Sequence, residues 1–209
     1  ITCEMCIRYR DDDLNVRQIA RFNRALSKLP SHLPKSLANS AVLVNFPECQ
    51  ADWVRPGIML YGVSPTPLQT AESFGLRPVM TLMSEVISLK SIAKGEYVGY
   101  AGSWQAERTS MIAIVAVGYG DGYPRHAPTG TPVRILGQYA PLVGRVSMDM
   151  IAIDVTDIAG VGIGTAVTIW GQGLPVSDIA EHASTISYEL LCGITRRVPC
   201  YLQAPPSEC

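Results

Sequence analysis

Several short stretches of the 209-residue sequence carry side chains able to do chemistry. In "EYVGYAGSW" (96–104), Tyr100 stands between Gly99 and the loose run Ala101-Gly102-Ser103. Glycine beside it lets the backbone bend and lets another molecule approach the phenol closely. The plainer alternative is a turn tyrosine that covers an apolar edge. "VGYGDGYPR" (117–125) runs from strand formers into glycines spaced by two, which fits a hairpin connection as well as a site loop. In "VGRVSMDMIAIDV" (143–155), Arg145, Ser147 and Asp149 alternate with apolar residues, a pattern that a strand buried on one face also produces. Metal chemistry is not indicated. Cys3 and Cys6 form a lone CxxC without a second ligand pair, and His32, His126 and His182 are far apart. Cys192, inside "YELLCGI", reads as a small buried residue.

The elements that must position these residues fall into two textures. "DLNVRQIARFNRALSKL" from Asp13 predicts a helix with Leu14, Val16, Ile19, Phe22, Leu26 and Leu29 on its apolar face, stopped by Pro30. A second helix is expected over 41–46, with Asn39 or Ser40 as its N-cap. "WVRPGIMLYGVSP" reads as a buried strand broken at Pro56-Gly57. This is α/β texture. After Pro78 come "VMTLMSEVISLKSI", "MIAIVAVGYG", "TPVRILGQYAPLVGRVSMDMIAIDV" and "GTAVTIWGQG", short strands with glycine turns between them, which predict a β-barrel or sandwich. One late helix, "VSDIAEHASTISYELLCGI", is expected with Ser177 as its cap. The break falls in the proline-bearing stretch 65–78.

Composition narrows the function classes. With 47% hydrophobic and 17% charged residues the chain is that of a folded protein, and a net charge of −1 offers neither a nucleic-acid footprint nor a polybasic membrane anchor. The longest apolar run, "MIAIVAVGY", is far too short to span a bilayer, and "ITCEMCIRYRDDD" lacks a signal-peptide core, so a cytoplasmic location is the default expectation.

Taken together and in order, "NSA", "WVRPGIMLYGVSP", "VGYAGSW", "GYGDGYPR", "VGRVSMD" and "ISYELLCGITRRVP" resemble the C-terminal part of the bacterial alanine racemases, over residues 14–200. The resemblance implies the end of a (β/α)8 TIM barrel followed by a β domain. With "ITCEMCIRYR", which has no amphipathic period, set aside as an expected non-native leader (1–13), the chain is expected to divide into a partial TIM barrel (14–72), a β domain (73–202) and a tail (203–209). The resemblance also implies pyridoxal 5'-phosphate as cofactor, L-alanine and D-alanine as substrates for peptidoglycan synthesis, and a homodimer whose active sites are shared across the interface. Asn39, Ser40, Gly57, Ile58 and Tyr188 would hold the cofactor phosphate. The hydroxyl of Ser40 and the amides after Pro56, which has no N–H, suit that task. Arg55 would face the pyridine nitrogen, or else be a salt-bridged barrel arginine. Always protonated, it would keep that nitrogen unprotonated.

The resemblance makes Tyr100 one of two opposite-face bases, the other being a lysine. A phenol ordinarily titrates near 10, so base work would need cations nearby. Met148 would contact the substrate carboxylate through its main-chain N–H, and Tyr119 the substrate. Tyr119, Arg125, Arg145 and Ile186 would line the funnel to the site, a purely structural role being the alternative. The four lysines, Lys28, Lys35, Lys90 and Lys94, lie outside any "VKANAYGHG"-like context, so the chain should not racemise alanine alone. Ala101 replaces the glycine often found after the tyrosine. An isolated partial barrel should aggregate or dimerise through exposed strand edges. Rival expectations are a broad-specificity or serine racemase, and, in another class, a non-catalytic β module for protein association.

Overall fold

The computed structural model describes residues 13–202, in two compact units that divide between Met80 and Thr81. The leader expected over 1–13 thus lies outside the described residues apart from Asp13, as does the tail 203–209.

In the first unit, α1 (Asp13–Leu26) packs Phe22 into a core with Leu37, Ala38, Ala41, Val42 and Phe46, flanked by Ile19 and Leu26. The inward stripe is Asn15, Ile19, Phe22 and Leu26, spaced by four, three and four. Leu14, Val16 and Leu29 are exposed, a correction to the expected face: Leu14 and Val16 flank Asn15 at about 100° to either side on a helix. Two parallel strands, β1 (Ser36–Asn39) and β2 (Trp53–Arg55), are joined through the short helix α2 (Ser40–Asn45), a βαβ crossover. Asn39 caps α2, its Oδ1 accepting from the Val42 amide at 3.1 Å, as the Asn-Ser pair predicts. The strand expected from Trp53 is shorter and less buried than its composition suggests. It ends at Arg55 because Pro56 has no N–H to continue a ladder, Trp53 and Val54 are exposed, and a 3-10 turn (Ile58–Tyr61) follows.

The second unit is an antiparallel barrel. Its strands are β3 (Leu82–Ile92), β4 (Tyr97–Val98), β5 (Trp104–Gln105), β6 (Ser110–Val115), β7 (Pro132–Ile135), β8 (Gln138–Pro141), β9 (Ile151–Asp154) and β10 (Ala166–Trp170). Six of them form one sheet in the order β8-β7-β10-β3-β6-β9. Its ends meet: Leu142, just after β8, bridges Ile153 of β9, and the Val143 amide donates to the Ala152 carbonyl at 2.8 Å. Register shifts at Val86/Ser88 and Thr168/Trp170 supply the curvature that closure needs. Inward positions alternate along β7 (Val133, Ile135) and β9 (Ile151, Ile153), the period of a pleated strand. The expected barrel-or-sandwich reading resolves to the barrel.

Two expectations are corrected here. The single late helix is two, α3 (Val176–His182) and α4 (Ser187–Gly193), separated where Ser184 takes φ +53°. Pro175, not Ser177, occupies the cap position of α3, and the Ser177 hydroxyl donates to Asp178. Cys192 is exposed, because it lies two residues, about 200°, around α4 from the buried Leu190.

Tyr123 and Trp170 stack in the barrel core with ring centroids 6.2 Å apart. The Tyr123 hydroxyl is buried with no partner among the described residues, and burial pushes its pKa well up. A raised folded-state pKa means stability that is intact below the unfolded value near 10 and lost as pH climbs from there toward the folded value. Tyr123→Phe should therefore abolish that alkaline loss. It should also leave the unit as stable or about 1 kcal/mol more stable at pH 7, since an unpaired hydroxyl leaves the core. Urea unfolding at pH 7 and pH 10.5 checks both.

Candidate active site

The five cradle residues expected in the first unit come together at the C-terminal ends of β1 and β2. Asn39 pairs with Arg55 in register, Ser40 opens α2, and Gly57 and Ile58 follow β2. Active-site loops of parallel α/β barrels sit at this end of the strands. The buried Ser40 accepts at its Oγ from the Gly57 amide at 2.8 Å, so the two turns touch. A Cβ added to Gly57 would lie 4.0 Å from that same oxygen, its nearest neighbour, so the bare glycine leaves the space before the hydroxyl open. Arg55 donates from its guanidinium to Ser36 Oγ, which fixes the side chain beside the strand ends. The Ser40 hydroxyl, which accepts from Gly57 and keeps its own proton to donate, and the Ile58 amide beside a permanent cation, with no carboxylate among these residues, are donors suited to an oxyanion such as a phosphate monoester.

The remaining site residues lie in the second unit. Tyr100 is at the tip of the β4–β5 hairpin, 63% exposed. The loop turns so sharply that Gly99, Ala101 and Gly102 all have positive φ, at 84°, 58° and 60°. Gly99 backs directly onto another backbone: a Cβ there would come within 2.9 Å of the Arg145 amide and 3.1 Å of Gly144 Cα. The tyrosine thus projects from a loop anchored on the Gly144-Arg145 segment. Alanine is out of place at φ +58°, where glycine carries no Cβ penalty. Ala101→Gly should stabilise this loop by about 1 kcal/mol, seen as slower amide exchange at Gly102, whose N–H donates to the Gly99 carbonyl.

Tyr119 lies on the glycine-rich turn after β6, under the Arg125 guanidinium at 5.7 Å from its ring centroid. The turn is tied to the loop that carries Met148. The Tyr119 amide donates to the Ser147 carbonyl at 3.0 Å, and the Gly120 amide to the Met148 carbonyl at 2.8 Å. The Met148 amide has no acceptor among the described residues, and its side chain is exposed. Ile186 and Tyr188 are exposed around the start of α4, and partial burial raises the Tyr188 pKa.

Sequence reasoning missed the clamp that holds these loops. Arg197 pairs with Asp149 at 2.5 Å and with Asp121 at 3.3 Å, and Thr195 donates from its hydroxyl to the Gly120 carbonyl at 2.8 Å. "GYGDGY", "SMD" and "TRR" therefore form one cluster, and Asp121 also accepts from the Gly118 amide at 2.9 Å. The available signal was the order and co-occurrence of these motifs, which showed association but no pairing.

The sequence matches the family model described as "Alanine racemase, C-terminal domain" over residues 79–202, and that for "Alanine racemase, N-terminal domain" over residues 4–65. The alanine racemase of Nitrosomonas eutropha is 50% identical over 188 residues, which is 90% of this chain and 52% of that protein. The crystal structure of biosynthetic alanine racemase from Pseudomonas aeruginosa matches with a TM-score of 0.89 at 45% identity, covering 94% of this chain and 54% of that one. The structure from Bartonella henselae, with covalently bound pyridoxal phosphate, matches with a TM-score of 0.80 at 33% identity, over 90% and 52% of the respective chains. The chain spans about half the length of the curated relatives it matches.

Proposed function

The chain belongs to the alanine racemase family, and from that premise we propose that it supplies one of the two opposite-face bases and most of the cofactor cradle of a pyridoxal-phosphate enzyme that interconverts L-alanine and D-alanine. The observation that carries this reading is the convergence of Ser40, Gly57 and Arg55 at the ends of two parallel strands. These donors fit the group. The Ser40 hydroxyl, whose own proton stays free, and the Ile58 amide would hold its phosphate, with the Gly57 amide positioning Ser40 Oγ unless the phosphate draws it away, Asn39 fixing the turn by its cap and Tyr188, by the family likeness, as a further donor. Arg55 would donate to the ring nitrogen and, always protonated, keep that nitrogen unprotonated. When bound, the cofactor withdraws electrons from the amino acid's α-carbon, so that its proton becomes removable.

Inversion requires a proton to leave one face of that carbon and return on the other. Tyr100 Oη takes or returns it on one face, working across a homodimer interface in the partner's site. The Met148 N–H donates to the substrate carboxylate, and the Gly120–Met148 bond holds that amide in place. Tyr119 lines the approach. The opposite face needs an amine, and none of Lys28, Lys35, Lys90 and Lys94 has the family's context, so this polypeptide should not racemise alanine alone.

The test is reconstitution with a barrel half from a related racemase and pyridoxal phosphate. Racemisation should appear only with all three components present. Cofactor uptake without racemisation would leave the cradle standing and remove Tyr100 from its role. Activity of this chain with cofactor alone would overturn the division of labour.

A further inference from the structure

Arg197 stands between the two loops of the second unit that carry Tyr119 and Met148. Its Nε faces Asp121, two residues after Tyr119, at 3.3 Å, and its Nη2 donates to Asp149, next to Met148, at 2.5 Å. A guanidinium presents these donors in one rigid plane, so a single side chain sets the spacing of the two loops. It packs onto the bare turn: a Cβ on Gly120 would come within 2.3 Å of Arg197 Nη1. The segment that carries the arginine is bound to the same turn. The Thr195 amide donates to the Asp121 carbonyl at 3.1 Å, and its hydroxyl to the Gly120 carbonyl at 2.8 Å.

The peptide between Ser147 and Met148 is what that spacing governs. A trans peptide is planar, with its C=O and N–H pointing to opposite sides. The Ser147 carbonyl accepts from the Tyr119 amide at 3.0 Å, so the glycine-rich turn fixes the direction of the Met148 N–H on the far edge of the same plane. The next carbonyl, that of Met148, accepts from the Gly120 amide at 2.8 Å, and the Ser147 amide closes the loop on the Met150 carbonyl at 3.0 Å. Met148 and Asp149 are thus the two residues at the loop's tip, and Asp149 is the side chain by which Arg197 holds it.

We propose that Arg197 is a positioning residue for the Met148 N–H, acting through Asp149 on one loop and Asp121 on the other. It governs how firmly the substrate carboxylate is held without touching it, a role that rests on the functional reading above. A donor to that carboxylate serves the bound amino acid before and during proton transfer alike, so its misalignment raises KM and spares kcat.

The test has two arms. In the 209-residue chain alone, Arg197→Gln should speed hydrogen exchange of the Tyr119 and Gly120 amides about tenfold, while the amides of β9 and β10 keep their rates. In the reconstituted enzyme the same variant should raise the KM for L-alanine about tenfold, the scale of one weakened hydrogen bond to a charged group, with kcat held within about threefold. Asp149→Asn should raise KM several-fold, and should add little to Arg197→Gln, because both remove one link. Arg197→Lys keeps the charge but reaches one carboxylate and not both, so it should recover only part of the KM. Arg108→Gln, which breaks another exposed pair, with Asp157, is the control and should leave KM unchanged. Should Arg197→Gln fail to fold, Asp149→Asn, at an exposed side chain and with the Asp121 pairing intact, carries the same KM prediction. An unchanged KM, a fall in kcat alone, or full recovery by Arg197→Lys would overturn the assignment. If the wild-type reconstitution does not racemise, the functional reading fails, and the exchange arm still decides whether Arg197 orients this peptide. Unchanged exchange at Tyr119 and Gly120 would show that it does not.

Discussion

Tyr100→Phe should reduce racemisation by the reconstituted enzyme about a thousandfold, within the range of general acid–base contributions. The substitution removes one oxygen from a side chain at the tip of an exposed hairpin. No hydrogen bond of that hydroxyl to a described residue is present, and the loop is held by Gly99 against Gly144 and not by the ring. Thermal stability and cofactor uptake should therefore stay unchanged while kcat falls. A comparable fall in stability or in cofactor affinity would mean that the phenol is structural. A loss below about tenfold would mean that it does not carry the proton, since even weak general acid–base groups contribute more.

The second large effect concerns the frame around that chemistry. Gly118→Ala should destabilise the barrel unit by about 3–5 kcal/mol, the scale of a substitution that overpacks a site and unpairs buried backbone groups together. A Cβ on Gly118 would lie 2.3 Å from the Met148 carbonyl oxygen and 2.4 Å from that of Ser147. Those are the oxygens that accept from the Tyr119 and Gly120 amides, so relief of the clash separates both bonds. The alanine variant should lower the denaturation midpoint followed through the buried Trp170, and in the reconstituted enzyme it should displace Tyr119 and Met148 together. Gly162→Ala is the control: a Cβ there meets nothing within 4 Å, and its φ is not positive, so stability should stay within about 0.5 kcal/mol. Equal midpoints for the two variants would show that the Gly118–Met148 contact is not tight.

What could be read in advance depended on whether a feature is local. The Asn39-Ser40 cap was legible because a cap is decided by a few adjacent residues, and the two textures were legible because their periodicities differ. The hairpin between β7 and β8 was hidden inside one long strand-like run. Its turn is Leu136-Gly137, both at positive φ, and leucine gives no turn signal. The break between α3 and α4 was hidden in the same way by Ser184 at φ +53°. Around the site, Tyr100, Arg55 and Ser40 could be singled out by their motifs. The Arg197 clamp could not, because Asp121, Asp149 and Arg197 are distant in sequence and meet only once the barrel closes.

Proton exchange at the α-carbon tests the central claim most directly. Reconstituted enzyme carrying Tyr100→Phe would be incubated in D₂O with L-alanine and, separately, with D-alanine, and deuterium incorporation would be followed together with configuration. If Tyr100 serves one face alone, exchange persists for one enantiomer without inversion and is lost for the other. Equal loss from both enantiomers, or undiminished exchange in both, would contradict a one-face base at Tyr100.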